Sequence, residues 1–287
     1  MVEAKIGVIG GSGLYQIDGL SDLRETKVET PFGEPSDLII TGTLQGVPIA
    51  FLPRHGKGHH ISPSEVPVRA NIYALKSLGV ERIISVSAVG SLKEDIHPLD
   101  LVIPDQIIDR TSGRVNTFFG RGLVVHVGFA EPFCPHLSQI LYQTAKKLGT
   151  TVHRGGTCVV MEGPAFSTKA ESHLYRSWGA SIVGMTALPE AKLAREAEIC
   201  YATLAFVTDY DCWHETAESV SVEMVVANLL QNAETAKNIL RTAMVTMTGH
   251  RGCQCGTALK NAIITSREHI PANLKRELAP LLQKYVK

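Results

Sequence analysis

Residues 202–212 read ATLAFVTDYDC, an apolar run that ends abruptly in two acids. The residues of 202–208 favour β structure, so this run predicts a buried strand. Asp209 and Asp211 follow at once, and residues two apart on an extended chain point to the same side. The stretch therefore predicts a core strand that delivers two carboxylates to one place.

Strand-like and helix-like segments alternate along most of the chain, which predicts an α/β layered fold. Apolar, β-favouring residues predict strands at 5–9, 38–43, 48–52, 82–86, 101–104, 157–161, 181–185 and 202–208. Apolar periodicity and capping patterns predict helices at 64–78, 135–148, 168–178, 221 to about 247, and from Pro271. Helical spacing in the long helix predicts a packing face formed by Val222, Val225, Val226, Leu229 and Leu230.

Polar or glycine-containing segments follow six of the predicted strands. These segments are Gly10-Gly11-Ser12-Gly13, Arg54-His55-Gly56, Ser87-Ala88-Val89-Gly90, Glu162-Gly163-Pro164, Thr186 and Thr208-Asp209. A single polar strand end needs no special explanation, because strands must exit to solvent. In open α/β sheets ligands bind beyond the carboxyl ends of the strands, so six such ends predict one shared site.

Several of these residues suit a phosphate group. The turn at Ser12 offers backbone N–H groups and a hydroxyl, although it matches neither a P-loop nor a dinucleotide fingerprint, since Gln16 stands where the third glycine belongs. Arg54 and His55 add a guanidinium and an imidazole beside Gly56. Without clustered carboxylates for Mg²⁺, this set favours free inorganic phosphate over a metal-bound nucleotide.

The acid pair allows several interpretations. A metal site would need further oxygen ligands nearby, and a phosphoaspartate motif would need Thr or Val where Trp213 stands. Recognition of a heterocycle remains, since a carboxylate accepts hydrogen bonds from an exocyclic amine and, when protonated, donates one to a ring nitrogen. Alone, Asp209 and Asp211 would be ordinary loop acids. Beside a phosphate pocket, base recognition is the better interpretation.

Charge and composition exclude some classes of protein. The 287 residues contain 28 Lys and Arg and 28 Asp and Glu, so the net charge is zero. Nucleic acids and anionic membranes bind positive surfaces, and neither is expected as a partner. No signal-peptide pattern or membrane-spanning apolar run occurs. A cytoplasmic enzyme is the expectation.

The six cysteines lack the paired spacing of a zinc ribbon, although Cys253 and Cys255 form a Cys-Gln-Cys sequence. We expect reduced thiols and no metal. A disulfide involving Cys134, Cys200 or the Cys-Gln-Cys pair would be expected only in a hyperthermophile.

From residue 6 to about 245, motifs in a fixed order resemble the 5′-methylthioadenosine phosphorylase family, within the trimeric purine nucleoside phosphorylase superfamily. The matching stretches are IGVIGGSGLY, ETPFGEPSD, RHGKGH, ANIYALK, SAVGSL, IDRT, AEPFCP, MEGPAFST, AESHLYRSWGA, GMTALPEA, EICYA and TDYDCW followed by ESVSVE. The last forty or so residues match less well. The resemblance implies a single domain over 1–287, with about 246–287 as a less certain extension, and a mixed central sheet flanked by helices.

The resemblance also implies a role for individual residues. The phosphate-binding set is Ser12, Arg54, His55, Ser87, Ala88 and Thr186. The nucleoside set is Ala88, Gly90, Phe166 stacking on the base, Met185 at the ribose, Asp209 and Asp211 at the base, and Val222, Val225 and Val226 around a 5′-methylthio group. His126 would reach this pocket from a neighbouring subunit of a homotrimer.

The resemblance implies phosphorolysis of 5′-methylthioadenosine, with inorganic phosphate as co-substrate, Asp209 as general acid and Asp211 as its support. No metal or organic cofactor is expected. Relatives that cleave 6-oxopurine nucleosides carry asparagine at the position of Asp209, and those that prefer a 5′-hydroxyl carry histidine at Val222. Ser167 and Val222 are the expected specificity residues. Gly184 also occurs in a methylthioinosine-cleaving relative, so methylthioinosine or a 6-oxopurine nucleoside is the alternative substrate.

Overall fold

The structure, a computed structural model, describes residues 4–11, 14, 16–214, 222–249 and 251–286, without the side chains at 222–225, 229 and 248. Within this part of the chain, one mixed sheet contains all the named strands. They are β1 (Ile6–Gly10), β2 (Leu20–Thr26), β3 (Ile39–Leu44), β4 (Val47–Pro53), β5 (Arg82–Ser91), β6 (Leu101–Ile103), β7 (Gln106–Arg110), β8 (Val152–Arg154), β9 (Thr157–Met161), β10 (Ile182–Gly184) and β11 (Cys200–Asp209).

Helices cover the sheet. They are α1 (Val68–Ser77), α2 (Pro135–Lys147), α3 (Lys169–Ser177), α4 (Ala187–Glu196), α5 (Val222–Ala243), α6 (Ala272–Glu277) and α7 (Ala279–Leu282), with 3₁₀ turns at Met244–Thr248, Cys255–Thr257 and Arg267–His269. Within the described ranges, none is both long and apolar enough to cross a membrane. The prediction of a mixed sheet flanked by helices is confirmed.

The strand order is β2-β3-β4-β1-β5-β10-β9-β7, and β11 branches from β5 to continue through β6 to β8. β5 is therefore the hub, because it pairs with β1 and β11 in parallel and with β10 in antiparallel fashion. It runs five residues beyond the predicted end at 86. The extension carries Ser87 and Gly90 alongside β11, where a register shift after Val207 sets Asp209 opposite Gly90.

All eight predicted strands overlap observed strands, whereas β2, β7, β8 and α4 were missed. β2 is an edge strand whose residues are exposed or half-buried, so it lacks a core pattern. β8 has only three residues. α4 contains Pro189, and Leu188 departs from helical dihedral angles, so its sequence does not read as a regular helix.

The predicted packing face of α5 is wrong for two of its members. Val226 and Leu230 are 47% and 69% exposed. The helix instead packs through later residues at helical spacing, which are Ala236, Ile239, Leu240 and Ala243, all fully buried in one apolar cluster with residues of β11 and α2. The other three predicted members of that face are Val222, Val225 and Leu229, whose side chains the structure does not describe.

The C-terminal residues share the core of the rest of the fold. Leu274 of α6, Leu281 and Leu282 of α7, and Leu278 between the two helices belong to the apolar cluster that contains α1 and β11 residues. The Tyr73 hydroxyl donates to the backbone oxygen of Glu277 (2.7 Å). The single domain over 1–287 stays a prediction, which this packing supports.

We expect Leu204→Ala to lower the free energy of unfolding by about 2–5 kcal/mol, because Leu204 is fully buried in β11 and its truncation leaves a cavity. Leu23→Ala is the matched control, since this β2 leucine is 53% exposed and should cost less than about 0.5 kcal/mol. Urea unfolding of both variants checks the difference. Equal losses would contradict β11 as a core strand.

Candidate active site

The polar strand ends meet in one cleft of about 360 Å³ beyond β1, β4, β5, β9, β10 and β11. Ten of the residues singled out in the sequence line it, namely Arg54, His55, Ser87, Ala88, Gly90, Phe166, Met185, Thr186, Asp209 and Asp211. Gly11, His59, Val86 and Gly184 also contribute to the wall. Arg54 and Asp209 therefore share a cleft, although 155 positions separate them in the chain.

Other candidate residues lie elsewhere or outside the description. Ser12 is outside the described residues, and so are the side chains of Val222 and Val225. Val226 is described and half exposed, and it is not among the residues that line the cleft. Ser167 lies just behind the wall, where its hydroxyl donates to the Met161 sulfur (3.4 Å).

His126 is not in the cleft. It lines a separate cavity of about 810 Å³ together with residues of the Cys253–Cys255 loop. A contact between His126 and the cleft would therefore have to come from another copy of the chain, as the sequence resemblance implies.

Arg54 is held by a buried ion pair. Its Nε–H donates to Glu190 Oε1 (2.5 Å), and its Nη2 donates to Ser85 Oγ (2.6 Å). Tyr201 donates its hydroxyl to the other Glu190 oxygen (2.9 Å). Burial lowers the pKa of Arg54, but the charge and hydrogen bonds of Glu190 outweigh burial and leave the pKa raised. Arg54 is therefore a fixed cation whose charge is already balanced.

One edge of the guanidinium still faces the cleft. Nη1 donates to the backbone oxygen of Val86 (3.1 Å), and its second N–H has no acceptor among the described residues. Arg54 can thus offer one N–H to a ligand. The other N–H groups of the guanidinium position it within the protein.

His55 is half-buried beside this guanidinium. Burial, followed by the Arg54 charge, lowers the pKa of His55 to about 4, so the ring is neutral near pH 7. Nδ1 lies 2.8 Å from the backbone oxygen of Ile61, which can only accept, so Nδ1 carries the proton. Nε2 then accepts a hydrogen bond from a ligand, or becomes a donor when an anion beside it draws in a proton.

Hydroxyl groups complete the phosphate-sized end of the cleft. Ser87 Oγ and Thr186 Oγ1 lie 3.2 Å apart, although they come from β5 and from the residue before α4. Ser85 Oγ lies 3.5 Å from Ser87 Oγ and connects this pair to Arg54. Neutral hydroxyls can donate to an anion and rotate to suit it. This end of the cleft is therefore built to bind an oxyanion by hydrogen bonds.

Asp209 lies at the other end of the cleft, buried at the end of β11. Its Oδ2 accepts from the Thr208 hydroxyl and its Oδ1 from the backbone N–H of Asp211, both at 2.7 Å. Burial raises the pKa of Asp209, the two hydrogen bonds oppose the rise, and the charge of Asp211 adds to it. The result is a carboxyl group that keeps a proton more readily than an exposed aspartate.

Asp211 has a left-handed backbone conformation, with φ of 53°. This geometry turns its N–H back onto Asp209. Its Oδ2 is buried, and burial raises the pKa of Asp211, while hydrogen bonds from the Ser172 and Ser167 hydroxyls oppose the rise. Asp211 also lines the cleft, where its carboxyl group can accept a hydrogen bond from a ligand amine.

Because Gly90 has no side chain, there is space beside it for the side chains of Asp209 and Asp211. A Cβ at this position would lie 3.0 Å from Asp209 Oδ1 and 3.3 Å from Asp211 Cβ. On the opposite wall, a Cβ at Gly163 would lie 2.6 Å from the Met185 sulfur, and φ there is 71°. Both glycines permit close approach of the walls that would enclose a flat ring.

Two residues that support the site, Glu190 and Arg114, were not predicted from the sequence. Glu190 anchors Arg54, and Arg114 donates to the backbone oxygens of Met185 (2.6 Å) and Leu188 (2.9 Å) while pairing with Glu162 (3.1 Å). Arg114 thereby fixes the segment that carries Met185 into the cleft. The only sequence signal for Glu190 is an acid within the apolar segment ALPEAKLA.

The sheet and cleft define an α/β enzyme whose pocket brings a guanidinium and hydroxyl groups together with two buried acids. Residues 5–244 match the phosphorylase superfamily, and the chain belongs to that family.

Relatives of similar sequence match over essentially the whole chain. It is 58% identical over 286 residues to the S-methyl-5′-thioadenosine phosphorylase of Geobacter sulfurreducens, covering 99% of this chain and 100% of the relative. The corresponding enzyme of Thermosynechococcus vestitus is 56% identical, with 99% and 100% covered.

Solved structures agree with these sequence matches. A methylthioadenosine phosphorylase from an antarctic soil metagenomic library superposes with a TM-score of 0.93 at 52% identity, covering 98% of this chain and 100% of that one. A methylthioadenosine phosphorylase of Schistosoma mansoni in complex with adenine gives 0.83 at 39% identity, covering 93% and 100%.

We expect Glu190→Gln to destabilise the protein by about 3–5 kcal/mol, because it leaves the buried Arg54 guanidinium without its counter-charge. The matched control is Glu277→Gln, which breaks the largely exposed pair with Arg121 and should cost at most about 1 kcal/mol. Chemical unfolding of both variants measures the difference. Similar losses would show that burial does not distinguish the two pairs.

Proposed function

We propose that this chain catalyses the phosphorolysis of 5′-methylthioadenosine, which yields adenine and 5-methylthioribose 1-phosphate. The observation that carries the proposal is the single cleft with Arg54, His55, Ser87 and Thr186 at one end and Asp209 at the other. The relatives named S-methyl-5′-thioadenosine phosphorylase across the full chain support it. In cells, this reaction returns adenine and the methylthio sugar to purine and methionine salvage.

The nucleophile is inorganic phosphate. The Arg54 N–H that faces the cleft and the hydroxyls of Ser87 and Thr186 hold its oxygens, with Ser12 and the backbone at Ala88 as further proposed contacts. A phosphate oxygen attacks C1′ as the bond from C1′ to N9 of the base breaks. Positive charge develops on the sugar, and the bound anion stabilises it.

Asp209 is the proposed general acid. When the bond to N9 breaks, negative charge moves onto the purine, and the protonated Asp209 carboxyl donates to N7. Burial keeps a proton on this group by raising its pKa. Asp211 supports Asp209 through its backbone N–H, and its carboxyl group in the cleft wall is the proposed acceptor for the 6-amino group.

The base preference follows from the same pair. Two carboxyl groups suit the 6-amino group and N7 of adenine. A 6-oxo base instead has a carbonyl oxygen at position 6, and this hydrogen-bond acceptor would face a carboxylate that also only accepts. Gly184 in the cleft wall keeps methylthioinosine as the alternative substrate. Phe166, which is 49% exposed at the mouth of the cleft, is the proposed stacking partner of the base.

The 5′-methylthio group is proposed to contact Val222, Val225 and Val226 at the start of α5, with Ser167 and Val222 setting specificity. We further propose a homotrimer in which His126 of one subunit completes the cleft of the next. The exposure of Val226 and the distance of His126 from its own cleft support this arrangement. We also propose a cytoplasmic location, because the proposed salvage reaction acts on metabolites inside the cell.

Adenine release from methylthioadenosine, measured with and without phosphate, tests the reaction. We expect turnover only with phosphate, and faster turnover than with methylthioinosine or inosine at equal phosphate. Fastest turnover of inosine would overturn the assignment of Asp209 and Val222, and equal adenine release without phosphate would overturn phosphorolysis.

Asp209→Asn should lower kcat/KM for methylthioadenosine by about 10²–10⁴-fold, because an amide cannot transfer a proton to N7. In the unmodified enzyme, kcat/KM should fall as pH rises through the raised pKa of Asp209, and this limb should be missing in the variant. Asp18→Asn, at an exposed loop acid, is the control and should behave like the parent. All pH profiles are recorded at the same phosphate concentrations, so that the ionisation of phosphate affects the parent and the variants equally.

Phosphate should raise the pKa of His55 above its value of about 4, because an anion near Nε2 favours the imidazolium. NMR titration of the His55 ring with and without saturating phosphate measures this, with the signal assigned by its loss in His55→Gln. Chloride at the same ionic strength in place of phosphate is the control and should leave the His55 titration unmoved. An unmoved His55 titration would remove His55 from the phosphate site.

A further inference from the structure

Four of the six cysteines converge, although they come from three separate segments. Cys134 precedes α2, Cys200 begins β11, and Cys253 and Cys255 lie in the loop that follows α5. Their Sγ atoms all lie within 4.8 Å of one another. Cys134, Cys200 and Cys255 are buried and Cys253 is partly buried. Cys158 and Cys212 are not part of this cluster.

We propose that Cys134, Cys200, Cys253 and Cys255 bind one Zn²⁺ ion as a tetrathiolate site. Tetrahedral zinc with Zn–S bonds of about 2.3 Å places its sulfur atoms about 3.8 Å apart, which matches four mutually close sulfurs. The sequence analysis expected no metal, because the Cys-x-Cys spacing is not that of a zinc ribbon. The two further ligands are 53 and 119 positions upstream of Cys253, so only the fold reveals the set.

The mutual arrangement favours a metal over disulfides. A disulfide joins two sulfurs at about 2.05 Å, whereas the Cys200 and Cys253 sulfurs are 3.3 Å apart and all four cysteines are free thiols. The other sulfur atoms also lie within 4.8 Å of this pair and of each other, so each sulfur has the other three as neighbours. Four donors around one centre are what a closed structural zinc site requires.

The surroundings suit the charge of such a centre. Four thiolates and one Zn²⁺ carry a net charge of −2, and Cys134 sits at the positive end of α2, where the Leu137 N–H donates to its sulfur (3.5 Å). The Arg251 guanidinium lies against Gly256, and the His136 ring lies against Gly252, on either side of the Cys-Gln-Cys loop.

The proposed site is structural. Cys200 and Asp209 are the two ends of β11, and nine residue steps of strand separate them by about 30 Å. The metal would fasten the 251–257 loop to the first residue of β11 and to the start of α2. The proposed phosphorolysis does not use zinc, so the zinc site can be tested independently of the proposed function.

The test is the metal content of the full-length protein, produced in zinc-supplemented medium and passed over a chelating resin. We expect about one zinc per chain by elemental analysis, which is the content of a single closed site. Cys200→Ser and Cys255→Ser should each lose it, whereas Cys158→Ala, which removes a buried thiol outside the cluster, should retain it. Zinc that persists in both serine variants would overturn the site.

Two measurements on the unmodified chain keep the proposal testable if the serine variants fail to fold. Co²⁺ exchanged into the protein should give the intense visible bands of tetrahedral thiolate coordination. Thiol titration after denaturation with a chelator, without reductant, should find all six cysteines. Four or fewer thiols would show disulfides instead, and six thiols without bound zinc would show a reduced, metal-free cluster; either result overturns the proposal.

Discussion

The pairing of β5 with β11 is the interaction on which the cleft depends. Two ten-residue strands run parallel in continuous register from the pair Arg82 and Cys200 to the pair Val89 and Val207. Both are almost wholly buried over their first halves, so apolar packing fixes the register. The register in turn decides which polar residues meet. A slip of one residue would turn the side chains of β11 to the opposite face.

The two strands supply residues to opposite ends of the cleft. β5 contributes Ser87 and accepts the Arg54 hydrogen bonds through Ser85 and Val86, while β11 ends in Asp209. Gly90 is the point of contact between the two halves, because its lack of a side chain lets the carboxyl group of Asp209 lie against β5. The oxyanion end and the acidic end are therefore held at a fixed separation by a buried sheet rather than by loops. Because the sheet is rigid, the reacting groups are already in position before a substrate binds.

The sequence predicts what depends on local pattern and misses what depends on distant partners. Apolar runs marked the core strands, and their polar ends predicted seven of the ten cleft residues, with Asp211 following from the acid pair. Phe166 and Met185 were expected only from the family resemblance. Val226 was placed on a packing face because helical spacing cannot tell a face that meets the core from one that does not. Glu190 was missed because its role depends on a partner 136 positions away. Cys134, Cys200 and the Cys-Gln-Cys pair were considered only for a disulfide, because the sequence does not show that all four sulfurs meet. Pairings of this kind arise only when the chain is folded.

The acid strength of Asp209 also follows from the fold rather than from its neighbours in sequence alone. Burial favours the protonated carboxyl, whereas the Thr208 hydroxyl and the Asp211 N–H favour the carboxylate. The left-handed turn at Asp211 supplies one of these opposing hydrogen bonds and also keeps a second negative group close. A deeper, unbonded aspartate would hold its proton too firmly to give it up, and an exposed one would have none to give at neutral pH. The register shift after Val207 therefore tunes the acid as well as placing it, because it sets both the depth of the carboxyl and the donors that reach it.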